Sequence, residues 1–366
     1  MSLFHKKPKP FEPPMQIDKH WPIYRENVYV DSKPKRLPYW ATPLITLLAI
    51  VVVVFYLAPT ISRRVINLAH NRDSEGQQIS RSYDEKNRVV SSPMADLYAS
   101  ADLKAKRLTQ VLYNEPVTLF DVKTTYGFRQ VQLSDGMTGY MRESDLSTYC
   151  DAAEPGLAIN KLVVATGSKR IMSHAKTGTL IVEVMMGTVL YTDYRGDGIS
   201  RVLLPSGGSG WISDDGLIIL PPDGEVLPAE NGSRYFTTTA LSFLNVTLLN
   251  RGMTVYGASI PGIARVSAAV NGVALPRMIE DQFTSGNPVT LERDPDTQLV
   301  RTDSLQPGDL LFFGQTPDAS EPVRMAICIN ENSMLVENQG RSSIRLLDPA
   351  KDEALWTNLI AIRRIF

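Results

Sequence analysis

The chain has 366 residues, with 38 Lys+Arg against 39 Asp+Glu, a formal net charge of −1 and 43% hydrophobic residues. That length suits two or three domains, and the near-neutral balance without a concentrated basic block excludes the footprint of a nucleic-acid binder. Two cysteines, Cys150 and Cys328, exclude a disulfide scaffold and lie too far apart for a C-x-x-C pair, while His5, His20, His70 and His174 are the only histidines, so no metal set and no cofactor is expected.

Residues 1–36 carry eight Lys/Arg and six prolines, the composition of a disordered tail. Leu37 to Ser62 holds no charged side chain, and Tyr39 to Ala58 is a predominantly apolar run of 20 residues, long enough at about 1.5 Å per residue to cross the hydrocarbon core of a bilayer. Residues 37–62 are therefore predicted to form a single transmembrane helix. The basic tail favours a cytoplasmic N-terminus, and Arg63 and Arg64 weaken that bias. Residues 63–90 read as a polar juxtamembrane spacer.

From Ser91 the pattern changes to short apolar runs broken by turn residues, as in all-β modules. Val131, Leu133, Gly136, Gly139 and Tyr140 match Val202, Leu204, Gly207, Gly210 and Trp211 at one constant offset, which marks an internal duplication over 91–150 and 157–221. The succession of strand, glycine turn and Gly-aromatic resembles bacterial SH3 domains. The resemblance implies two small all-β barrels, modules that often bind cell-wall peptide or other proteins. Tyr140 and Trp211 are the candidate stacking residues, and packing roles compete with that reading.

Residues 222–235 read as a linker. Beyond it Thr238 to Leu244 suits a helix, and a second runs from Pro261 in its first turn through Ile263, Val266, Ala269 and Val270 to a stop at Gly272. Strands are predicted at Leu310 to Phe313, Met325 to Asn330, Met334 to Glu337, Ile344 to Leu347 and Leu359 to Ile365. Helices followed by an antiparallel sheet predict an α+β domain over 236–366.

Within it, Phe243-Leu244-Asn245-Val246, Arg251-Gly252, Gly257-Ala258-Ser259-Ile260-Pro261-Gly262, Ala274-Leu275-Pro276-Arg277 with Gln282, and Leu305-Gln306-Pro307-Gly308-Asp309-Leu310-Leu311-Phe312-Phe313 resemble the NlpC family of papain-like cell-wall peptidases. The resemblance implies a multidomain chain: one transmembrane helix, two SH3-like barrels and a papain-like domain. It also implies a cysteine nucleophile at a helix start and a histidine base. Here Ile260 stands at the nucleophile position, Ser259 at the preceding acid and Arg324 at the base, and the third polar position falls at Val336 without a gap or, as preferred, at Glu337 where the Asn330 to Ser333 turn carries one extra residue. An arginine does not act as a base near neutral pH.

The expectation from these residues is a protein of the bacterial cytoplasmic membrane with extracytoplasmic domains, not an enzyme, that binds or scaffolds other envelope or membrane proteins. Peptidoglycan stem peptides are the second partner class. The ligand cleft is expected to involve Ser259, Arg324, Glu337, Tyr140 and Trp211. The alternative is an active peptidoglycan DL-endopeptidase that uses a non-standard nucleophile or base.

Overall fold

A computed structural model describes residues 85–120, 123–156, 158–293, 295, 304–349 and 352–366. The predicted tail, the apolar run 37–62 and residues 63–84 of the predicted spacer lie outside the described residues. Among the described residues no helix is long and apolar enough to cross a membrane.

The first sheet contains β1 (Asn87–Val90), β2 (Met94–Tyr98), β3 (Arg107–Leu112), β4 (Pro116–Leu119), β5 (Phe128–Leu133), β6 (Thr138–Arg142) and β7 (Leu146–Ser147). The spacer boundary at residue 90 is thus corrected, because Val89 and Val90 are buried in this barrel and pair with β4 and β7. The second sheet contains β8 (Asn160–Val164), β9 (Ser168–Met172), β10 (Leu180–Met185), β11 (Val189–Gly196), β12 (Ile199–Leu203), β13 (Ser209–Ser213) and β14 (Leu217–Leu220).

Strand order is β3-β2-β6-β5-β4-β1-β7 in the first sheet and β10-β9-β13-β12-β11-β8-β14 in the second. The two orders are the same once seven is added to each label. The matched glycines explain the shared signature. Gly136 and Gly207 turn at φ +86 and +83, in the left-handed region that glycine enters without strain. A Cβ at Gly139 would sit 2.7 Å from Leu97 Cγ, and one at Gly210 would sit 2.3 Å from Ile171 Cγ2, so both permit a close strand approach inside a small barrel.

The third part begins with α1 (Gly232–Leu241), six residues earlier than the predicted helix and inside the predicted linker. Phe236 and Ala240 are buried one turn apart, Thr238 and Thr239 bond their hydroxyls to the carbonyls of Arg234 and Tyr235 at 2.8 Å, and Gly232 packs on Phe366. That long-range contact with the C-terminal residue is invisible to local periodicity. The hairpin β15 (Met253–Thr254) and β16 (Gly257–Ala258) leads into α2 (Ile260–Ala269), whose Ile260, Ile263, Ala264, Val266 and Ala268 are buried. Burying each of its larger aliphatic side chains contributes about 1.5–3 kcal/mol. Gly272 at φ +86 ends the helix as predicted.

After α3 (Ile279–Gln282) come β17 (Asn287–Val289), β18 (Leu310–Phe313), β19 (Arg324–Asn330), β20 (Ser333–Asn338), β21 (Ser343–Leu347), α4 (Glu353–Thr357) and β22 (Leu359–Arg364). The antiparallel order is β17-β22-β18-β19-β20-β21. Strand alternation sends Leu310 and Phe312 to one face with the α2 core, and Leu311 and Phe313 to the other with Cys328, Trp356 and Leu359. Asp309 Oδ2 accepts the Gln306 N–H at 2.9 Å, closing the Pro-Gly turn that delivers β18. One core joins all three parts, since Leu112 of the first sheet and Val163, Met185 and Met186 of the second pack with Ile260, Ile263 and Phe312.

Candidate functional site

The β15-β16 hairpin and α2 place the predicted Ser259-Ile260 pair. Ser259 sits at the N-terminal boundary of α2 with extended backbone, and its N–H and Oγ–H donate to the Gly252 carbonyl at 2.9 and 3.2 Å. A Cβ at Gly262 would lie 2.1 Å from that same carbonyl oxygen, so this approach of loop and helix needs glycine. Ile260 turns inward and is fully buried in the main core. Its side chain does not face the cleft, while its backbone N–H donates to Glu337 Oε1 at 2.9 Å.

Glu337 stands in β20 opposite Ile344, and Arg324 opens β19 opposite Phe313. Ser259, Arg324 and Glu337 line one cavity of about 150 Å³, and Arg324 and Glu337 also line a neighbouring one of about 260 Å³. Tyr140 and Trp211 do not line either, which corrects the single five-residue cleft. Tyr140 pairs with Tyr98 and Gln130 within the first barrel. Trp211 stacks edge-on with Tyr194 at 5.7 Å and under the Arg201 guanidinium at 5.9 Å, beside a groove of about 460 Å³ that also takes in His174. The aromatics stay on their own barrels because strand pairing fixes them there.

Sequence reasoning missed the contribution of the first sheet. Thr109 lines the 150 Å³ cavity together with Arg251, Arg265 and Arg277. Arg251 Nη1 donates to the Leu108 carbonyl at 3.1 Å, and Gln110 Oε1 accepts the Met253 N–H at 2.9 Å. Arg277, 8% exposed, donates to Asp135 Oδ2 at 2.6 Å, to the Gln110 carbonyl at 2.9 Å and to Glu115. No signal in the sequence links Arg277 to carboxylates 142 and 162 positions away.

Electrostatics follow from that junction. Burial alone would raise the Asp135 carboxyl, but the Arg277 charge and hydrogen bond, with help from Arg265, hold it below its ordinary value. Burial and repulsion from Arg277 push Arg265 down to about 10. Cys328 lies in the opposite core, 2% exposed, and burial followed by the nearby Asp309 charge pushes its thiol up to about 12. It is therefore not a thiolate near neutral pH. The cavity brings together a hydroxyl, a carboxylate at a helix start and guanidinium groups. Among the described residues no group of three or more His, Cys, Asp and Glu is placed to hold a metal ion.

Comparison with known proteins adds to this geometry. Residues 97–146 match the bacterial dipeptidyl-peptidase SH3 domain. A crystal structure of an NlpC/P60 family protein from Bacillus cereus aligns with TM-score 0.65 at 18% identity, over 76% of this chain and 99% of that one. The fold is SH3-like followed by an NlpC/P60-like domain. Dipeptidyl-peptidase 6 of Lysinibacillus sphaericus is 24% identical over 302 residues, 76% of this chain and 100% of the relative. Gamma-D-glutamyl-L-lysine dipeptidyl-peptidase of Bacillus cereus is 22% identical over 254 residues, 65% of this chain and 69% of the relative.

These relatives correct the expectation that the chain is not an enzyme. Both are named as peptidases and cover 76% and 65% of this chain, which points to an enzyme. The expectation rested on the missing thiol and imidazole at Ile260 and Arg324. Their loss removes one mechanism and leaves open hydrolysis by the other groups that line the same cavity.

Proposed function

We propose that the chain is a peptidase of the bacterial cell envelope that acts on peptidoglycan stem peptides with a non-standard catalytic set. The observation that carries this reading is the convergence of Ser259 and Glu337 at the start of α2, in one cavity of an NlpC/P60 fold. The names of the relatives supply the substrate class.

In this reading the Ser259 hydroxyl attacks the scissile carbonyl and its proton passes to Glu337, whose carboxylate keeps a second oxygen beyond the one bonded to Ile260 N–H. Glu337 passes that proton to the departing amine as the acyl-enzyme forms, then takes a proton from the attacking water and returns it to Ser259 Oγ as the product carboxyl leaves. Arg324 has no ion pair or side-chain hydrogen bond among the described residues, and it supplies positive charge at the cavity mouth for the developing oxyanion or a substrate carboxylate. Residues 91–150 and 157–221 act as tandem SH3 modules, a reading supported by their matching strand orders. Residues 37–62 anchor the chain in the cytoplasmic membrane, with the N-terminus inside and 236–366 outside. Envelope proteins remain partners for the outer modules.

The test is digestion of purified peptidoglycan and soluble stem peptides by the full-length chain, with detection of new amino termini. Turnover that falls at least about a hundredfold in Ser259→Ala and in Glu337→Gln supports the reading. Absence of new amino termini, or turnover indifferent to both substitutions, overturns it.

A further inference from the structure

The connection from β4 to β5 ends in a tight turn, where Thr125 and Phe128 exchange both backbone hydrogen bonds at 2.9 Å around Tyr126 and Gly127. Both central residues have positive φ, +50 and +79, a geometry for which Asn-Gly is the favoured pair. A tyrosine there strains the backbone, and this one is 91% exposed, while the neighbouring Phe128 is buried edge-on against Tyr98 at 5.9 Å. Phe120, at the start of the same connection, is 49% exposed. Strain and an aromatic ring left in water thus meet in a residue that the barrel core does not use, and such costs persist where function uses them.

The position of the turn in the barrel points to what it meets. Leu119 N–H donates to the Lys86 carbonyl at 2.8 Å, so the chain enters β1 beside Phe120. The 23 residues 63–85 separate that point from the apolar run, and they reach at most about 80 Å. At the opposite end of the same strands, Glu115 before β4 and Asp135 after β5 hold Arg277 of the α+β part.

Charge agrees with position. Among the described residues of this end, Lys86, Arg88, Lys123 and Arg129 stand against Glu85 and Glu143, Arg142 and Asp145 pair with each other, and Asp121, read from the sequence, leaves the balance positive. A second copy of the chain would bring the same excess and be repelled. Anionic lipid headgroups attract it, and tyrosine settles at their depth.

We infer that this end of the first barrel docks on the extracytoplasmic surface of an anionic bilayer, with Phe120 and Tyr126 at headgroup depth and Lys86, Arg88 and Lys123 toward the lipid phosphates. Docking rests on the reading of residues 37–62 as a membrane anchor, because so small a patch binds weakly by itself and gains from the tether. It sets Arg277 and the cleft that Arg277 lines about 20 Å farther from the lipid, the length of the six-residue β5.

The test uses the full-length chain carrying Cys150→Ser and an environment-sensitive fluorophore on Thr125→Cys, reconstituted into vesicles of phosphatidylglycerol and phosphatidylcholine. The emission is expected to lie further to the blue than in vesicles of phosphatidylcholine alone, and to shift back at about 1 M KCl, where the screening length is about 3 Å. Tyr126→Asn relieves the strain and removes the ring, so the docked-to-undocked ratio is expected to fall about tenfold with no drop in the thermal unfolding midpoint. Phe120→Ser is the second variant, should the first not fold, and is expected to lower the same ratio. Emission indifferent to lipid charge and to both substitutions overturns the inference. So does a blue shift in phosphatidylcholine vesicles that grows with the number of chains per vesicle, which assigns the patch to a second copy. An alkaline wash separates the two readings. A chain that shows the blue shift and is then stripped from the vesicles overturns the anchor alone, and a chain retained with unshifted emission overturns docking alone.

Discussion

The backbone N–H of Ile260 donates to the Glu337 carboxylate at 2.9 Å, tying the first turn of α2 to strand β20. A negative charge at a helix start is stabilised by the unpaired N–H groups and the helix dipole. Glu337→Gln keeps an acceptor and loses the charge, at a cost of about 0.3–1 kcal/mol. Glu337→Leu strands the Ile260 N–H and costs about 1–3 kcal/mol. Chemical denaturation gives both values, and amide exchange at Ile260 accelerates more in the leucine variant.

Arg277 joins the α+β part to the first barrel through Asp135, Glu115 and the Gln110 carbonyl. Arg277→Leu takes the shared cation from Glu115 and leaves Asp135 only Arg265 at 3.8 Å, and it is expected to cost about 3–5 kcal/mol. Equilibrium unfolding measures the loss. A value below 1 kcal/mol contradicts the assignment of Arg277 as the junction's central contact.

The same contact sets a pH dependence. The folded carboxyl of Asp135 lies below its ordinary value of 3.8, so the stability it contributes is complete above that value and is lost as pH falls through the lower folded one. Unfolding midpoints from pH 6 to pH 2 are expected to fall at the acid end, and Asp135→Asn is expected to flatten that limb while lowering stability at pH 6. A variant whose acid limb keeps the original slope removes Asp135 as its source.

The repeated glycines admit a matched test. Gly139→Ala meets Leu97 Cγ and the Tyr98 carbonyl oxygen at 2.7 and 2.8 Å, whereas Gly210→Ala meets the Ile171 side chain. Both overpack their barrels, at about 1–3 kcal/mol. The cost at Gly139 is expected to be larger because backbone yields less than a side chain does. Thermal unfolding of the two single variants orders them.

Cys328 is buried with its thiol pushed up to about 12, so a disulfide reagent at pH 8 is expected to leave it unlabelled in the folded chain and to label it in denaturant. Mass mapping distinguishes it from the half-buried Cys150. Labelling of Cys328 at the rate of an exposed thiol refutes its assignment to the closed core.

Much of the fold was legible because it is written in local period. The offset linking Val131-Leu133-Gly136-Gly139 to Val202-Leu204-Gly207-Gly210 reappears as two sheets of matching strand order, and the run Leu310 to Phe313 forms a strand with those bounds. The start of α1 was not legible, since Gly232 and Phe236 are held by Phe366 at the far end of the chain.

The sequence alone determined which groups stand at the start of α2 and on β19 and β20: Ser259 and Ile260, Arg324, and Glu337, with no histidine beyond His174. Chemical identity is a property of the chain and needs no fold. Tertiary structure decided that Ile260 faces the core and that Glu337 reaches its N–H. It also decided that Tyr140 and Trp211 stay on their barrels, and that Arg277, Asp135 and Glu115 meet across the junction. Those contacts join residues far apart in sequence, where only the packing of separate sheets and helices sets distance, burial and charge.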